Sequence, residues 1–540
     1  MTTIAGFLKV KDETVRGGNI YRALANLEAT CDCGIICDDF SSDGTRDIVT
    51  EWVKRQPGMW TAMYVPPELQ SFELELTVKQ KMMEKLHATI GERPIDWIWW
   101  LDADEALDQE GTRRFKEWVA ADAGTHAAWK FHYTQIWRNA SWARTDDGFD
   151  DGVFCKLWRY SPELSFDLRP GTHRQQFPTQ IDYGKAGLAP FEIVHFGNYG
   201  KVLQWKCHQY AGGLGGVDRH LAFGHTPAES LATGLGYDKP EWSKPFPTYR
   251  KVAWNTIWAN DFLDIDESNP PEPFTMDEIR RIRAMGSMKK LQGWFTVVIP
   301  AYNRAATLPK ALQSLLDQRY DKWVAVVLDD GSTDETPALM RAWERRDPRI
   351  FYCRYNENRG GVAVNEIGMS LACEWTEYWT RLGSDDWFGP GKLEADAAAL
   401  EHHEATFGPF TVWKHGKADH QCAGSWGPEN GASPSERLRQ GQFLASWANV
   451  AVRTEVLRKV REKWGNFVDP RLRNQEDYLF NVRVAQLGVE WVWRPGDPAD
   501  AFWNCLENVG AAPSASASAN AELTARDTAL TRQLIELQKP

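Results

Sequence analysis

The sequence predicts an α/β protein of two tandem domains, each a mostly parallel β-sheet flanked by helices. Three observations predict it. Strand-length apolar runs alternate with helix-periodic segments along most of the chain. The same order of elements occurs twice, from Ile4 to Glu105 and again from Phe295 to Trp387. In both copies the strands end in clustered acids, where open α/β sheets bind their ligands.

Each copy opens with an apolar strand, Ile4–Val10 and Phe295–Pro300. A helix follows. In the second copy Leu308, Ala311, Leu312, Leu315 and Leu316 fall at i, i+3, i+4, i+7 and i+8, one face of a helix. The next strand ends in paired aspartates: Asp38-Asp-Phe-Ser-Ser-Asp43 in the first copy, Asp329-Asp-Gly-Ser-Thr-Asp334 in the second. A later strand ends in acids again, at Asp102-Ala-Asp-Glu105 and Gly383-Ser-Asp-Asp386. Carboxylates gathered in a cleft repel one another and call for a cation or hydrogen-bond donors.

The expected layout is a domain over residues 1–262, a linker at 263–293, a second domain at 294–510 and an Ala/Ser-rich tail at 511–540. The linker reading rests on the polar, proline-rich Asp264–Pro273. Leu523–Leu537 reads as a short terminal helix, either a partner contact or a frayed end, with the frayed end the simpler reading.

At 540 residues the chain exceeds one ordinary domain, and 43% apolar residues suffice for two cores. The net charge of −12 argues against general nucleic-acid binding, which needs a basic face. No apolar run approaches the roughly 18 residues that span a bilayer, and no signal peptide is evident, so a cytoplasmic location is expected. Nine scattered cysteines suggest no disulfide framework; Cys31, Cys33 and Cys37 lack metal-ligand spacing and read as core. The 27 tryptophans are core residues or stacking platforms for sugar rings, which composition does not separate.

At these motifs the sequence resembles the family-2, GT-A-fold glycosyltransferases. In the second half the resemblance runs through Val297–Arg304, Asp329–Asp334, Asn358–Asn365, Gly383–Asp386, Pro390–Glu394 and Glu476–Tyr478. The first half resembles a branch with an Asp-Ala-Asp-Glu metal motif, and the likeness fades after about residue 110. The resemblance implies a nucleotide-sugar donor, a UDP-sugar by default, held at Asp38 and Asp39 in one half. In the other half it implies Pro300, Tyr302, Asn303, Asp329 and Asp330, with Asp102 and Asp385 at the acidic ends. It implies Mn²⁺ or Mg²⁺ on Asp102, Asp104 and Asp385, with a downstream histidine, His195 or His173. Gly383 departs from the expected first acid, which leaves Asp385, with Asp386 beside it, to hold a cation.

For an inverting transfer the resemblance assigns the general base to Asp477, beside Glu476. The alternative is that both acids simply favour the start of a helix. Asp150 and Asp151 are candidate bases in the first half, and a polar loop accounts for them equally. The expected function is a bifunctional, metal-dependent glycosyltransferase acting on a hydroxyl acceptor, be it glycan, protein or modified nucleobase. The runner-up is one catalytic domain with a degenerate, binding-only partner. A nucleotidyltransferase is disfavoured, because neither opening strand leads into a Gly-rich loop with a basic residue.

Overall fold

The computed structural model describes residues 2–199, 249–251, 291–494, 501–504 and 521–537. Breaks fall at 17–18, 57–58, 66–68, 70–73, 91–93, 122–124, 145–151, 169–175, 415–416, 423–432, 441–446 and 474. The chain divides into two units, Met1–Ile279 and Arg280–Pro540. The division falls inside the expected linker, of which only residues 291–293 are described. His173, Asp150, Asp151 and the tail before residue 521 lie outside the described residues.

The first unit begins β1 (Ile4–Val10), α1 (Asn19–Thr30), β2 (Cys33–Asp38), α2 (Thr45–Arg55), β3 (Trp60–Tyr64), α3 (Glu75–Ile90) and β4 (Trp97–Asp102). These four strands are parallel, in the order β3-β2-β1-β4. Strand β4 is buried on both faces at Trp97, Ile98, Trp99, Trp100 and Leu101. That explains its unbroken apolar run, since a central parallel strand has helices on both sides. Next come β5 (Glu105–Leu107), α4 (Gln109–Ala121), β6 (Ala128–Arg144), β7 (Val153–Arg159), β8 (Gly187–Tyr199) and β9 (Tyr249–Lys251). They extend the sheet as β4-β7-β6-β8-β5, with β9 on β6.

The second unit begins β10 (Leu291–Ala301), α5 (Leu308–Leu316), β11 (Trp323–Asp329), α6 (Thr336–Arg346), β12 (Ile350–Arg354), α7 (Gly361–Trp375) and β13 (Thr376–Arg381). Its parallel strands lie in the order β12-β11-β10-β13, the same path as in the first unit. The predicted face of α5 is the buried one: Leu308, Ala311, Leu312 and Leu315. Then follow β14 (Trp387–Phe388), α8 (Lys392–Leu400), β15 (Ala405–Phe407), β16 (Phe410–Lys414), β17 (Lys417–Cys422) and α9 (Pro434–Arg439). The unit closes with β18 (Val450–Arg453), α10 (Thr454–Trp464), α11 (Glu476–Gln486), β19 (Trp491–Trp493), β20 (Ala501–Asn504) and α12 (Ala521–Leu537). Strands β18, β15 and β19 extend the main sheet, while β14, β20, β16 and β17 form a second, four-stranded sheet.

The expectation of mostly parallel sheets fits the seven-stranded sheet of the second unit, where four described pairings are parallel and two antiparallel, whereas the first unit's sheet has four of each. Only the first four strands of each unit are all parallel. Beyond them β7 runs antiparallel to β4 and β6, and β18 runs antiparallel to β13 and β15. The reason lies in the connections. Helices α1, α2 and α3 supply crossovers long enough to return a strand in parallel, whereas β6 meets β7 through a link too short for one.

Two other readings are settled by burial. Cys31 and Cys37 are buried, and burial pushes the Cys37 thiol up to about 12, as for an inert core residue. Among the described residues, Trp97, Trp99, Trp100, Trp158, Trp323, Trp375, Trp379 and Trp491 are fully buried and serve as core. The terminal helix α12 is docked rather than frayed: Asp527, Thr531, Leu534 and Ile535 form one buried face. Among the described residues no helix is long and apolar enough to cross a membrane.

Candidate donor and catalytic sites

Parallel register brings the acidic motifs together. Val10 pairs with Asp38 and Lys9 with Asp102, so the ends of β2 and β4 flank the end of β1. In the second unit Ala301 pairs with Asp329 beside the end of β10.

The turns after β2 and β11 share one hydrogen-bond frame. Asp12 N–H donates to Ser41 Oγ at 2.9 Å, and Asn303 N–H donates to Ser332 Oγ at 2.9 Å. Glu13 N–H donates to Thr45 Oγ1 and Arg304 N–H to Thr336 Oγ1, both at 2.9 Å. Asp43 accepts from Val15 and Thr45 N–H groups; Asp334 accepts from Ala305 and Thr336. Asp39 N–H reaches Val10 O and Asp330 N–H reaches Ala301 O, each at 2.8 Å. Asp12 and Asn303 both take left-handed backbone, at φ 51° and 53°. Position 40 in the first turn and 331 in the second do the same, filled by Phe40 at φ 59° and Gly331 at φ 80°. Glycine takes that conformation without steric cost, whereas phenylalanine is held there at roughly 1–2 kcal/mol.

The first acid of each pair belongs to this frame. Asp38 and Asp329 are fully buried and face into the turn. Asp38 accepts from Ser41 N–H and Arg46 Nε; Asp329 accepts from Ser332 N–H at 2.8 Å and Tyr352 O–H at 2.5 Å. They shape the turn. Burial raises both carboxyls above their ordinary range, against the pull of these hydrogen bonds.

The following acids differ between units. Asp39 pairs with Lys9 at 3.0 Å, and its buried Oδ1 has no hydrogen-bond partner among the described residues. An orphaned buried acceptor there suits an incoming N–H or hydroxyl. Asp330 instead accepts from Arg359 and Gly360 N–H groups, at 2.6 and 2.8 Å. Pro300 and Tyr302 flank the same turn, with Tyr302 exposed.

In the first unit Asp104 Oδ2 lies 3.4 Å from His195 Nε2, both side chains mostly buried. Gln135 Oε1 sits against His195 Nδ1 and orients the ring. Two ligands about 2.1 Å from one octahedral ion stand about 3 Å apart, so this pair fits two adjacent ligands of a divalent cation. Asp102, the first acid of the same motif, is engaged by a cation of the protein itself. Its Oδ2 accepts from Lys156 Nζ at 2.7 Å and its Oδ1 from Trp100 Nε1 at 2.9 Å. Burial acts to raise the Asp102 carboxyl, but the Lys156 and Lys79 ammonium groups outweigh it and hold the carboxyl well below its ordinary value. Lys156 also donates to both oxygens of Glu105, which Tyr133 O–H caps. Among the described residues no group of three or more His, Cys, Asp or Glu side chains is arranged to hold a metal.

In the second unit Asp385 is half-buried and Asp386 buried. A Cβ at Gly383 would lie 2.3 Å from Asp386 Oδ2 and 3.2 Å from Asp385 Oδ1. The Asp386 carboxylate therefore occupies the room that a side chain at 383 would need. The acids that remain, Asp385 and Asp386, are oxygen donors of the kind Mn²⁺ and Mg²⁺ take.

Glu476 and Asp477 open α11. A helix N-terminus alone would lower their pKa values. The opposite is found: burial, then the neighbouring Glu476, pushes the Asp477 carboxyl up to about 7, and burial raises Glu476 as well. Arg381, at the end of β13, opposes the rise in both. Burial thus outweighs the helix dipole, and Asp477 is poised near neutral pH, as a general base requires.

Sequence reading missed three participants. Asp12 is the counterpart of Asn303, hidden because the first strand leads into Lys-Asp-Glu rather than Tyr-Asn-Arg. Lys156 carried a signal, a lone cation within the apolar Val153–Trp158. Arg381 is a lone cation two residues before the acidic Gly383–Asp386.

Residues 296–460 match the family model described as Glycosyl transferase family 2. The second unit carries a family-2 glycosyltransferase domain. The matched stretch ends before Glu476 and Asp477. Similar relatives include the glycosyltransferase GlyA of Streptococcus pneumoniae, 25% identical over 204 residues, or 36% of this chain and 29% of that protein. Another is the putative teichuronic acid biosynthesis glycosyltransferase TuaG of Bacillus subtilis, 29% identical over 112 residues, or 21% of this chain and 44% of that one. The chain thus spans under half the length of these two relatives. Among solved structures, S. aureus TarS 1–349 in complex with UDP-GlcNAc aligns with a TM-score of 0.37 at 19% identity, covering 45% of this chain and 66% of that one.

Two predictions follow the geometry. Asp104→Asn and His195→Ala should each weaken Mn²⁺ binding at the first unit by more than the roughly tenfold loss that accompanies removal of an outer-shell partner. Asp102→Asn should leave that affinity nearly unchanged. Calorimetric titration of the whole chain reads all three. The second concerns pH. Asp477 titrates near 7 when folded and near 3.9 when unfolded, so the folded chain binds the extra proton between those values. Its contribution to stability falls as pH rises through this window. Asp477→Asn should therefore raise the melting temperature by a few degrees at pH 8 and hardly at all at pH 4, read by scanning calorimetry.

Proposed function

We propose that the chain is a two-headed glycosyltransferase, in which each unit binds a nucleoside-diphosphate sugar at its donor turn. The shared hydrogen-bond frame of the two turns carries this reading, because one frame at the same strand ends suits one class of ligand. Asp39 and the loop at Asp330 would receive the base and ribose, and a UDP-sugar is the donor we favour. The match of residues 296–460 to Glycosyl transferase family 2 supports a sugar donor of this class.

In the second unit Asp477 acts as general base. An acceptor hydroxyl attacks the anomeric carbon, the bond from that carbon to the phosphate oxygen breaks, and the hydroxyl proton passes to Asp477. The sugar is transferred with inversion, and the nucleoside diphosphate leaves with the bonding electrons. Arg381 lies close enough to bias the acids electrostatically. A divalent cation, when bound, supplies charge neutralisation for the leaving diphosphate. Asp104 and His195 would hold it in the first unit, and Asp385 with Asp386 in the second.

A second reading has the first unit bind donor or acceptor without turnover. The Lys156 bond to Asp102 favours it, since that acid is withdrawn from metal binding.

Calorimetric titration of UDP with Mn²⁺ present should give two sites per chain. Asp39→Ala and Asp330→Ala should each remove one. Release of UDP from a panel of UDP-sugars then assigns turnover: Asp477→Asn abolishes it if the first unit only binds, and halves the count of active heads otherwise. No UDP binding by the folded wild-type chain would sink the proposal.

A further inference from the structure

The loop that leads into α11 has an unusual support. Residues Arg471–Gln475 connect the end of the Asn466–Pro470 segment to the acids Glu476 and Asp477. Gln475, at the N-cap of α11, adopts left-handed backbone at φ 61° and makes no side-chain cap. That conformation is disfavoured for a non-glycine residue and needs holding from outside.

The terminal helix α12 supplies the hold. Asp527 Oδ2 accepts from Arg473 N–H at 2.7 Å. Gln475 Nε2 donates to Thr528 Oγ1 at 2.6 Å. Arg526 donates to Arg471 O at 3.4 Å and to Asp527 Oδ1 at 2.8 and 3.0 Å. Asp527 is fully buried, which is costly for a carboxylate unless its oxygens are used. Both are. The loop also touches the donor side of the unit. A Cβ at Gly360 would lie 2.9 Å from an Arg473 guanidinium nitrogen, and Gly360 N–H is one of the two donors to Asp330.

We infer that α12 is a clamp on the catalytic loop, with Asp527 and Thr528 as positioning residues that set where Asp477 stands. The clamp rests on the reading of Asp477 as general base for its catalytic effect, but not for its effect on the loop. Three elements meet at Arg471–Gln475: the terminal helix, the helix bearing the base and the turn that holds Asp330. A helix that served only to cover apolar surface would need Leu534 and Ile535, not a buried carboxylate aimed at a backbone N–H.

The test uses the full chain carrying Asp104→Asn, so that turnover reports the second unit, with Thr528→Val, Thr528→Ser and Asp527→Asn added in turn. Valine keeps the shape of threonine and removes the acceptor; serine keeps the acceptor. Hydrogen exchange of amides 471–480 should quicken about fivefold in Thr528→Val, the effect of one lost hydrogen bond, and more in Asp527→Asn. Thr528→Ser should restore the parent rate. Release of UDP from UDP-sugar to water should lose kcat about tenfold in Thr528→Val with the donor KM within twofold, and recover in Thr528→Ser. Unchanged exchange at 471–480 in Asp527→Asn would overturn the clamp. So would equal kcat in the valine and serine variants when the parent turns over. If exchange responds as expected while no protein, parent included, releases UDP, the clamp stands and the assignment of the base falls.

Discussion

A single carboxylate beneath each of the two shared turns, Asp43 in the first unit and Asp334 in the second, ties the loop after the opening strand to the start of the next helix. Without that tie two loops at the sheet's carboxyl edge would have unpaired N–H groups and no fixed distance between them. The surroundings tune the same bond differently. Asp43 is fully buried, and burial pushes it up to about 6. Asp334 is less enclosed; burial raises it, but its hydrogen bonds from Thr336 and Ala305 prevail and lower it.

The parallel half of each sheet was legible because its physics is local. Apolar runs of strand length, a helix face at 3.6-residue spacing and acids at strand ends each leave a mark within about ten residues. The mixed half left little. Its strands β6, β7 and β8 mix polar and apolar residues, and their pairing, antiparallel for β6 with β7 and parallel for β6 with β8, depends on partners tens of residues away. The site follows the same division. Asp104, His195 and Asp477 could be singled out as candidates from short motifs and the resemblance they carry. The pairing of Asp102 with Lys156 could not, since Lys156 lies 54 residues further on and meets it only in the folded sheet. Nor could the inward turn of Asp38 and Asp329, because a side chain's direction at a strand end depends on the turn that follows.

The two units divide the same acidic inventory in different ways. The first keeps a carboxylate–imidazole pair and neutralises its other acids with Lys156. The second keeps acids at the helix start, where burial rather than a counter-charge sets their protonation. One arrangement suits holding a cation, the other suits taking a proton. Repetition of a fold has here left the frame alike and the chemistry unlike.

The crowding at Gly383 bears on how such a site can change over generations. An aspartate introduced at 383 meets the Asp386 carboxylate head-on, so that the side chain at 386 must swing out or be replaced first. Loss of Asp386 alone, in turn, leaves Asp385 as the nearest acid with an empty space beside it. Because Oδ2 is the far end of a flexible side chain, rotation at 386 relieves the contact, so the two positions constrain each other's side-chain directions.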